Sequence, residues 1–192
     1  MNVCLIGDGL ISLTLAKTLI NKKIKVFMYY ENNRKIPNDN RTIGISSDNL
    51  DFIQKKIVKI NKNLIWEINK IGIYNDQNIK KKILNFQQSN KRLFSIIKNN
   101  DLYKLLINSL KKNNKFKKIK IKNKSFYSKI LNNQKFDLVI NCDGNNEIST
   151  RYFYQKIIKD YVSTAYTTII NHNKINNKEA IQIFTKHGPL AF

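Results

Sequence analysis

Two glycines, Gly7 and Gly9, stand where an apolar strand pattern gives way to an apolar helix pattern, in the stretch VCLIGDGLIS at residues 3–12. In a strand–loop–helix unit, the first such glycine permits a tight turn and the second lets the backbone approach a pyrophosphate group. The amide groups at the helix N-terminus then bind the phosphate oxygens. Ser12 takes the place of a third glycine, whose role is close packing of the helix on the strand. The spacing predicts a dinucleotide phosphate site, with a plain strand–helix corner as the alternative.

An acidic residue at the end of the following strand would hold the ribose hydroxyl groups of the same ligand. The usual spacing falls on Tyr30, and Glu31 comes immediately after it. A shift of one residue at the end of the strand would direct Glu31 toward the ribose. A solvated carboxylate in the loop is the alternative, and we give it equal weight.

The side chains that could bind a metal are few and scattered. Cys4 and Cys142 are far apart and belong to no C-x-x-C pair, and His172 and His187 add no ligand spacing. We therefore expect no metal site and two reduced, buried thiols. Both histidines are expected at the surface or at strand ends, so we nominate no catalytic acid or base.

The elements that must position the glycine loop follow from hydrophobic periodicity. Residues 2–7 and 24–30 are typical of buried strands, and residues 10–22 carry the apolar stripe of a helix. Because the connections are short, this pattern predicts a right-handed parallel βαβ unit. Further along we predict, in order, a strand at 41–46, a helix at 47–58, an antiparallel meander over 66–97 with turns at 75–78 and 87–90, a helix at 101–112, a Lys-rich solvated edge strand within 111–124, a buried parallel strand at 136–144, and two long strands at 161–172 and 179–188.

The net charge of +22, from 35 Lys and Arg against 13 acids, raises the question of a nucleic-acid or anionic-membrane partner. The excess is almost all Lys, is spread along the whole chain, and accompanies abundant Asn and Ile, as a globally biased codon usage would produce. Arg, which binds phosphates and bases better than Lys does, occurs at only four positions. We therefore expect no specific nucleic-acid partner.

The N-terminus leads directly into the first strand, which leaves no room for a signal peptide. No apolar run approaches the ~20 residues that a membrane-spanning helix needs. We therefore expect a cytoplasmic protein. Peripheral attachment to the inner face of the cytoplasmic membrane, or to a biosynthetic complex, stays compatible with the sequence.

Four further stretches occur in the order and approximate spacing of one family: RTIGISSDNLDFI, LFSIIKNNDLYKLLINSL, FDLVINCDG and the C-terminal YVSTAYTTIINH…AIQIFTKHGPLAF. Together with the glycine loop, they give a chain that resembles the flavin-dependent aromatic hydroxylases of ubiquinone biosynthesis, within the wider class built like p-hydroxybenzoate hydroxylase. The resemblance covers essentially the whole chain, and the C-terminal stretch is its most specific part.

This resemblance implies FAD as the cofactor and NAD(P)H as the reductant. Gly7 and Gly9 match the FAD pyrophosphate loop, and Arg41 matches the arginine that opens the segment beside the cofactor. Asp143 and Gly144 match an Asp-Gly motif associated with both FAD and NAD(P)H. A carboxylate at the carboxyl end of a parallel strand lies in the crevice where such sheets bind ligands, although an Asp-Gly pair alone is more often an ordinary turn.

The expected fold is α/β, with a Rossmann-like FAD-binding domain at residues 1–65 and 97–150. A mostly antiparallel β substrate domain at 66–96 and 151–192 would interrupt it. The family continues past GPLAF into a second FAD motif, so we expect both domains to be incomplete at the C-terminal end and this length of chain to be inactive alone.

The implied reaction is hydroxylation of the aromatic ring of a polyprenylated phenol or quinone precursor with NAD(P)H and O₂. A different FAD-dependent oxidoreductase of the same fold, acting on a soluble substrate, is one alternative. A non-catalytic basic binding module with a degenerate nucleotide fold is another, and it would bind in a strongly salt-dependent way without flavin.

Overall fold

The computed structural model describes residues 1–31, 41–78, 81–87, 91–123, 125–132, 134–153, 155, 157–170, 173 and 177–192. The chain divides into two compact units. The first comprises residues 1–41, 56–58 and 99–168, and the second comprises 42–55, 59–98 and 169–192.

The regular elements have the following bounds. The strands are β1 (Asn2–Ile6), β2 (Lys25–Tyr30), β3 (Thr42–Ser46), β4 (Trp66–Ile68), β5 (Lys70–Asn75), β6 (Lys82–Gln87), β7 (Phe94–Lys98), β8 (Phe116–Lys120), β9 (Leu138–Asn141), β10 (Glu179–Thr185) and β11 (Gly188–Ala191). The helices are α1 (Leu10–Asn21), α2 (Ser47–Phe52), α3 (Asn99–Lys111), α4 (Ser125–Leu131) and α5 (Glu147–Tyr152). A π-helical segment, Ile53–Ile57, extends α2, and short 3₁₀ turns lie at Lys62–Leu64 and Asp76–Asn78.

The first unit has a parallel four-stranded sheet in the order β8-β2-β1-β9. The chain runs from β1 through β2 to β8 on one side of β1, and then returns to place β9 on the other side. This arrangement makes the gap between β1 and β9 the point at which the strand order reverses, where open α/β sheets bind their ligands. The predicted βαβ unit of β1, α1 and β2 is confirmed.

Helices cover both faces of this sheet, as the alternation of side chains along β1 requires. On one face α1 and α3 pack together and against β2 and β8. On the other face a buried cluster joins β1 to α4 and α5; its members are Cys4, Ile6, Tyr127, Ile130, Phe136 and Ile148. The strand β1 is therefore buried on both faces, which explains its unbroken apolar sequence.

The second unit contains two sheets. One is antiparallel in the order β3-β7-β4, and the other has the order β11-β10-β5-β6. Each pairing described in these sheets is antiparallel except that of β5 with β10. The stretch predicted as the first strand of a meander is divided at Asn69, so β4 and β5 belong to different sheets. The β5–β6 hairpin is confirmed, whereas β7 leaves it to pair with β3 and β4.

The compact units differ from the predicted domain boundaries between residues 42 and 65. The sequence assigns all of this segment to the FAD-binding domain, whereas residues 42–55 and 59–65 lie in the second unit. The strand β3 forms its backbone hydrogen bonds with β7 of that unit. Residues 151–168, predicted as substrate domain, lie in the first unit. Which unit binds cofactor and which binds substrate stays a prediction.

Two strand predictions were wrong in part. Residues 161–170 form no strand, and most side chains there are exposed, including Tyr166 at 92%. A sequence rich in β-branched and aromatic residues does not form a strand without a partner strand to pair with. Residues 171 and 172, including His172, lie outside the described residues, as do 88–90 of the predicted turn. The strand β9 is confirmed as parallel, but Leu138 is 44% exposed because β9 is at the edge of the described sheet.

None of the helices in the described part of the chain has both the length and the apolar character required to cross a membrane.

The two cysteines are free thiols with different surroundings. Cys4 is fully buried in the centre of the sheet, while Cys142 is partly exposed after β9. Burial raises the pKa of the Cys4 thiol from 9.0 to about 12. Because the thiolate is the reactive form, Cys4 should be inert at neutral pH in the folded protein.

Alkylation with iodoacetamide at pH 8 is expected to modify Cys142 much faster than Cys4 in the folded chain, and both at similar rates in urea. Peptide mass mapping over time measures the two rates. Equal modification of both cysteines before unfolding would contradict the structure.

The raised pKa of the Cys4 thiol also predicts that the free energy of unfolding falls as the pH rises from 9.0 to about 12. In this range the unfolded chain ionises the thiol and the folded chain does not.

Candidate dinucleotide site

A pocket of about 260 Å³ lies in the first unit at the carboxyl ends of β1 and β2, beside the loop after β9. These strands are parallel, so the loops that follow them meet at one edge of the sheet. The pocket is lined by Ile6, Gly7, Asp8, Tyr29, Tyr30, Glu31, Ile121, Tyr127, Asp143, Asn145 and Asn146. The structure therefore brings together three of the residues predicted from sequence: Gly7, Glu31 and Asp143.

Gly7 is required by the backbone. Its φ angle is +106°, a conformation that side chains rarely adopt, and its N–H donates to the Tyr29 carbonyl at 2.8 Å. A Cβ atom at Gly7 would lie 3.3 Å from Cβ of Asp143 and 3.4 Å from Oγ of Ser12. The loops after β1 and β9 therefore approach each other as closely as a glycine allows.

Gly9 has a different role from Gly7. It is the N-cap of α1 with φ −73° and ψ 179°, an extended conformation open to any residue. No side chain caps the helix, and no acidic residue lies in its first turn. The first amide groups of α1 are thus left for water or a ligand, and the positive end of the helix dipole favours an anion there.

Ser12 packs α1 against the end of β9. The side chain is fully buried, and its hydroxyl oxygen lies next to the space above Gly7. Burial raises the pKa of the Cys142 thiol. A larger side chain at residue 12 would separate the helix from the strand end.

Glu31 is oriented by Tyr127, a residue of α4. The Tyr127 hydroxyl donates to Oε1 of Glu31 at 2.5 Å, and Tyr127 itself is only 3% exposed. Burial raises the pKa of Tyr127 far above its usual range, and the hydrogen bond and charge of Glu31 raise it further. Tyr127 therefore keeps its proton and holds the Glu31 carboxylate at the pocket.

The loop after β9 is fixed by a network of side-chain amides. Asn141 and Asn146 donate to each other at 3.1 and 2.7 Å. The Ser149 hydroxyl donates to the Asp143 carbonyl at 2.6 Å, and Oδ1 of Asp143 accepts the Asn145 N–H at 3.1 Å. Asp143 thus forms the turn that its sequence pattern favours and lines the pocket as well.

Four of the predicted cofactor-binding residues are absent from the described pocket lining: Gly9, Ser12, Arg41 and Gly144. Arg41 is exposed just before β3, and its carbonyl accepts the Asn99 N–H at 2.9 Å. Gly144 has no positive φ angle, and a Cβ there would meet no atom within 4 Å. The cofactor roles of Arg41 and Gly144 stay predictions from the family resemblance.

The charged side chains that line the pocket are all acidic among the described residues. Asp8, Glu31 and Asp143 line it, and no Lys or Arg is among its described lining residues. No cluster of three or more His, Cys, Asp or Glu side chains suited to a metal occurs among the described residues. An anionic ligand would therefore depend on helix amides and on cations behind the pocket wall.

Sequence reasoning missed Asp8, Tyr127 and the amide network. Asp8 could have been found, since it lies between the two glycines. Tyr127 could not, because α4 is a short helix with too few apolar repeats to be distinguished from the Lys-rich segment before it.

Neither a protein-family profile nor a curated protein sequence matches this chain. Solved structures match it in fold. A candidate FAD-containing monooxygenase from Photorhabdus luminescens aligns with a TM-score of 0.56 at 17% identity, over 80% of this chain and 42% of its own. The p-nitrophenol 4-monooxygenase PnpA from Pseudomonas putida aligns with a TM-score of 0.52 at 10% identity, over 62% of this chain and 31% of its own. PqsL, a candidate FAD-dependent monooxygenase from Pseudomonas aeruginosa, aligns with a TM-score of 0.50 at 14% identity, over 62% and 32%.

At these identities the likeness concerns the fold alone. The chain spans from 31% to 42% of the length of the three structures. The predicted fold class is confirmed: the chain has a Rossmann-like parallel sheet interrupted by mostly antiparallel β structure, as in part of each of these three structures.

Proposed function

We propose that the first unit binds FAD and that the protein is an FAD-dependent monooxygenase. The observation that carries this proposal is the meeting of the Gly7 turn with Asp143 where the strand order reverses. That junction lies beside the uncapped N-terminus of α1. A plain strand–helix corner would need neither a positive φ angle nor this close approach of two loops.

The residues present fit the ADP half of FAD. The amide groups that begin α1, next to Gly9, would bind the pyrophosphate, and Glu31 would accept hydrogen bonds from the ribose hydroxyl groups. Tyr127 would hold Glu31 in the direction of the ribose. When bound, FAD supplies the redox and oxygen chemistry that side chains lack.

The more specific proposal is hydroxylation of a polyprenylated aromatic precursor of ubiquinone, with NAD(P)H as reductant and O₂ as oxidant. It is supported by the sequence motifs that extend over both units. The fold neighbour that is a p-nitrophenol 4-monooxygenase adds support for a phenolic ring as substrate. Peripheral association with a membrane or a biosynthetic complex would suit such an apolar substrate.

The binding proposal is tested by titrating the protein with FAD, followed by flavin fluorescence and equilibrium dialysis. We expect saturable binding that ADP displaces and FMN does not, because the pocket residues match the ADP half. Absence of saturable binding, or displacement by FMN alone, would contradict the proposal. If the measured affinity varied only with the salt concentration, the result would favour the non-catalytic basic binding module.

The reaction is tested separately with FAD-loaded protein, NADH or NADPH, and a prenylated phenol. A hydroxylated product identified by mass spectrometry would support the ubiquinone precursor proposal. Oxidation of a soluble substrate without oxygen insertion would support the alternative oxidoreductase.

A further inference from the structure

Lys118 is less exposed than the other two lysines of β8. Lys117 and Lys120 are exposed, as expected for an edge strand of this composition, whereas the Lys118 side chain is only 23% exposed. Alternation along the strand places Lys118 on the opposite face from Lys117. The prediction of a solvated edge strand therefore fails at Lys118.

The ammonium group of Lys118 has partners from three other parts of the first unit. It donates to Oδ2 of Asp8 at 2.9 Å and to the Tyr103 hydroxyl at 3.2 Å. It also lies 4.3 Å from the centre of the Tyr30 ring, within range of a cation–π interaction. These groups belong to the glycine loop, to α3 and to the end of β2, so one cation connects all three.

Lys118 is charged in this environment. Burial lowers its pKa, but one hydrogen bond each with Asp8 and Tyr103, together with the electrostatic effects of these two groups, outweighs burial and leaves the pKa above its usual value. Asp8 is also shielded from water, since its side chain is 15% exposed. Ion pairs in such places are screened less by solvent than pairs on the open surface.

The position of Asp8 makes this pair relevant to ligand binding. Asp8 lies between the two glycines of the loop and lines the pocket together with the carboxylates of Glu31 and Asp143. An unpaired carboxylate at that point would repel a pyrophosphate bound to the same loop.

We propose that Lys118 is a positioning residue for the phosphate-binding loop, holding the Asp8 carboxylate and cancelling its charge so that the loop accepts an anionic dinucleotide. This inference rests on the proposed function. The described pocket lining contains no cation of its own, so the charge of Asp8 is neutralised by a lysine that lies outside the lining.

A set of four variants tests the proposal: Lys118→Met, Asp8→Asn, the double variant, and Lys117→Met. The measurement is the dissociation constant for FAD and for ADP, with thermal unfolding of every variant. Lys117→Met removes the same charge from an exposed position on the same strand, so it controls for the overall charge of the protein.

We expect Lys118→Met to weaken FAD and ADP binding by about tenfold or more, and the double variant to return to within about threefold of the parent. Asp8→Asn alone should bind at least as tightly as the parent, and Lys117→Met should equal it. The rescue is informative, because a purely structural role for the Lys118 side chain would leave the double variant as weak as the single one.

Four outcomes would overturn the inference. Unchanged binding by Lys118→Met, or no rescue in the double variant, would do so while leaving the proposed function in place. Weaker binding by Asp8→Asn would show that Asp8 itself contacts the ligand. A parent protein that binds neither FAD nor ADP would remove the proposed function and the inference with it.

Discussion

Replacing Gly9 by valine is expected to abolish FAD binding, with a loss of affinity of at least about 100-fold, while the fold is retained. The extended backbone at Gly9 accepts a β-branched residue, so the conformation gives no reason for a glycine at that point. A ligand that approaches the backbone closely does give one, because any Cβ would take its space. Equilibrium dialysis with FAD measures the loss, and circular dichroism and thermal unfolding check the fold.

The matched control is Gly9→Ser. Serine is a strong N-cap residue, so this variant should be at least as stable as the parent and yet bind FAD more weakly. If both variants bound FAD as the parent does, the phosphate would not lie against Gly9.

Replacing Gly7 by alanine is expected to act on stability instead, lowering the free energy of unfolding by about 2–4 kcal/mol. Two costs combine. The φ angle of +106° is strained for alanine, and the new Cβ would be 3.3 Å from Cβ of Asp143, within a junction of two loops. Urea unfolding followed by circular dichroism measures the change.

Gly144→Ala provides the comparison for Gly7→Ala. Residue 144 has no positive φ angle and open space around its Cβ position, so alanine there should change stability by no more than about 1 kcal/mol, with stabilisation as the expected sign. Equal destabilisation by the two substitutions would show that the Gly7 turn is not the constrained junction described above.

Sequence patterns were sufficient for the local part of this fold. The βαβ unit and its loop were predictable because the residues that form β1, α1 and β2 are consecutive, and each has its own periodicity. The helix predicted at 101–112 was predictable for the same reason, and it forms as α3 with Leu102, Leu106 and Leu110 among its buried residues.

The parts of the fold and of the site that sequence patterns do not predict depend on contacts between distant residues. The change of sheet at Asn69 is decided by the partners β7 and β10, which no local pattern specifies. The same holds for the site: Lys118 and Asp8 are 110 residues apart, and nothing in the repeated lysines of β8 distinguishes the one that is partly buried against Asp8. Glu31 was identified by spacing, but the orientation that Tyr127 gives it required the structure.

The placement of β9 beside β1 also governs when the pocket can form during synthesis. The backbone N–H of Asn2 donates to Asp137, 135 residues later, and closing a loop of that length costs about 4 kcal/mol of chain entropy. The glycine loop leaves the ribosome before the Asp143 wall does, because it is more than 130 residues nearer the N-terminus. A nucleotide that needs both loops binds the assembled sheet, and by mass action it then shifts the folding equilibrium toward that state.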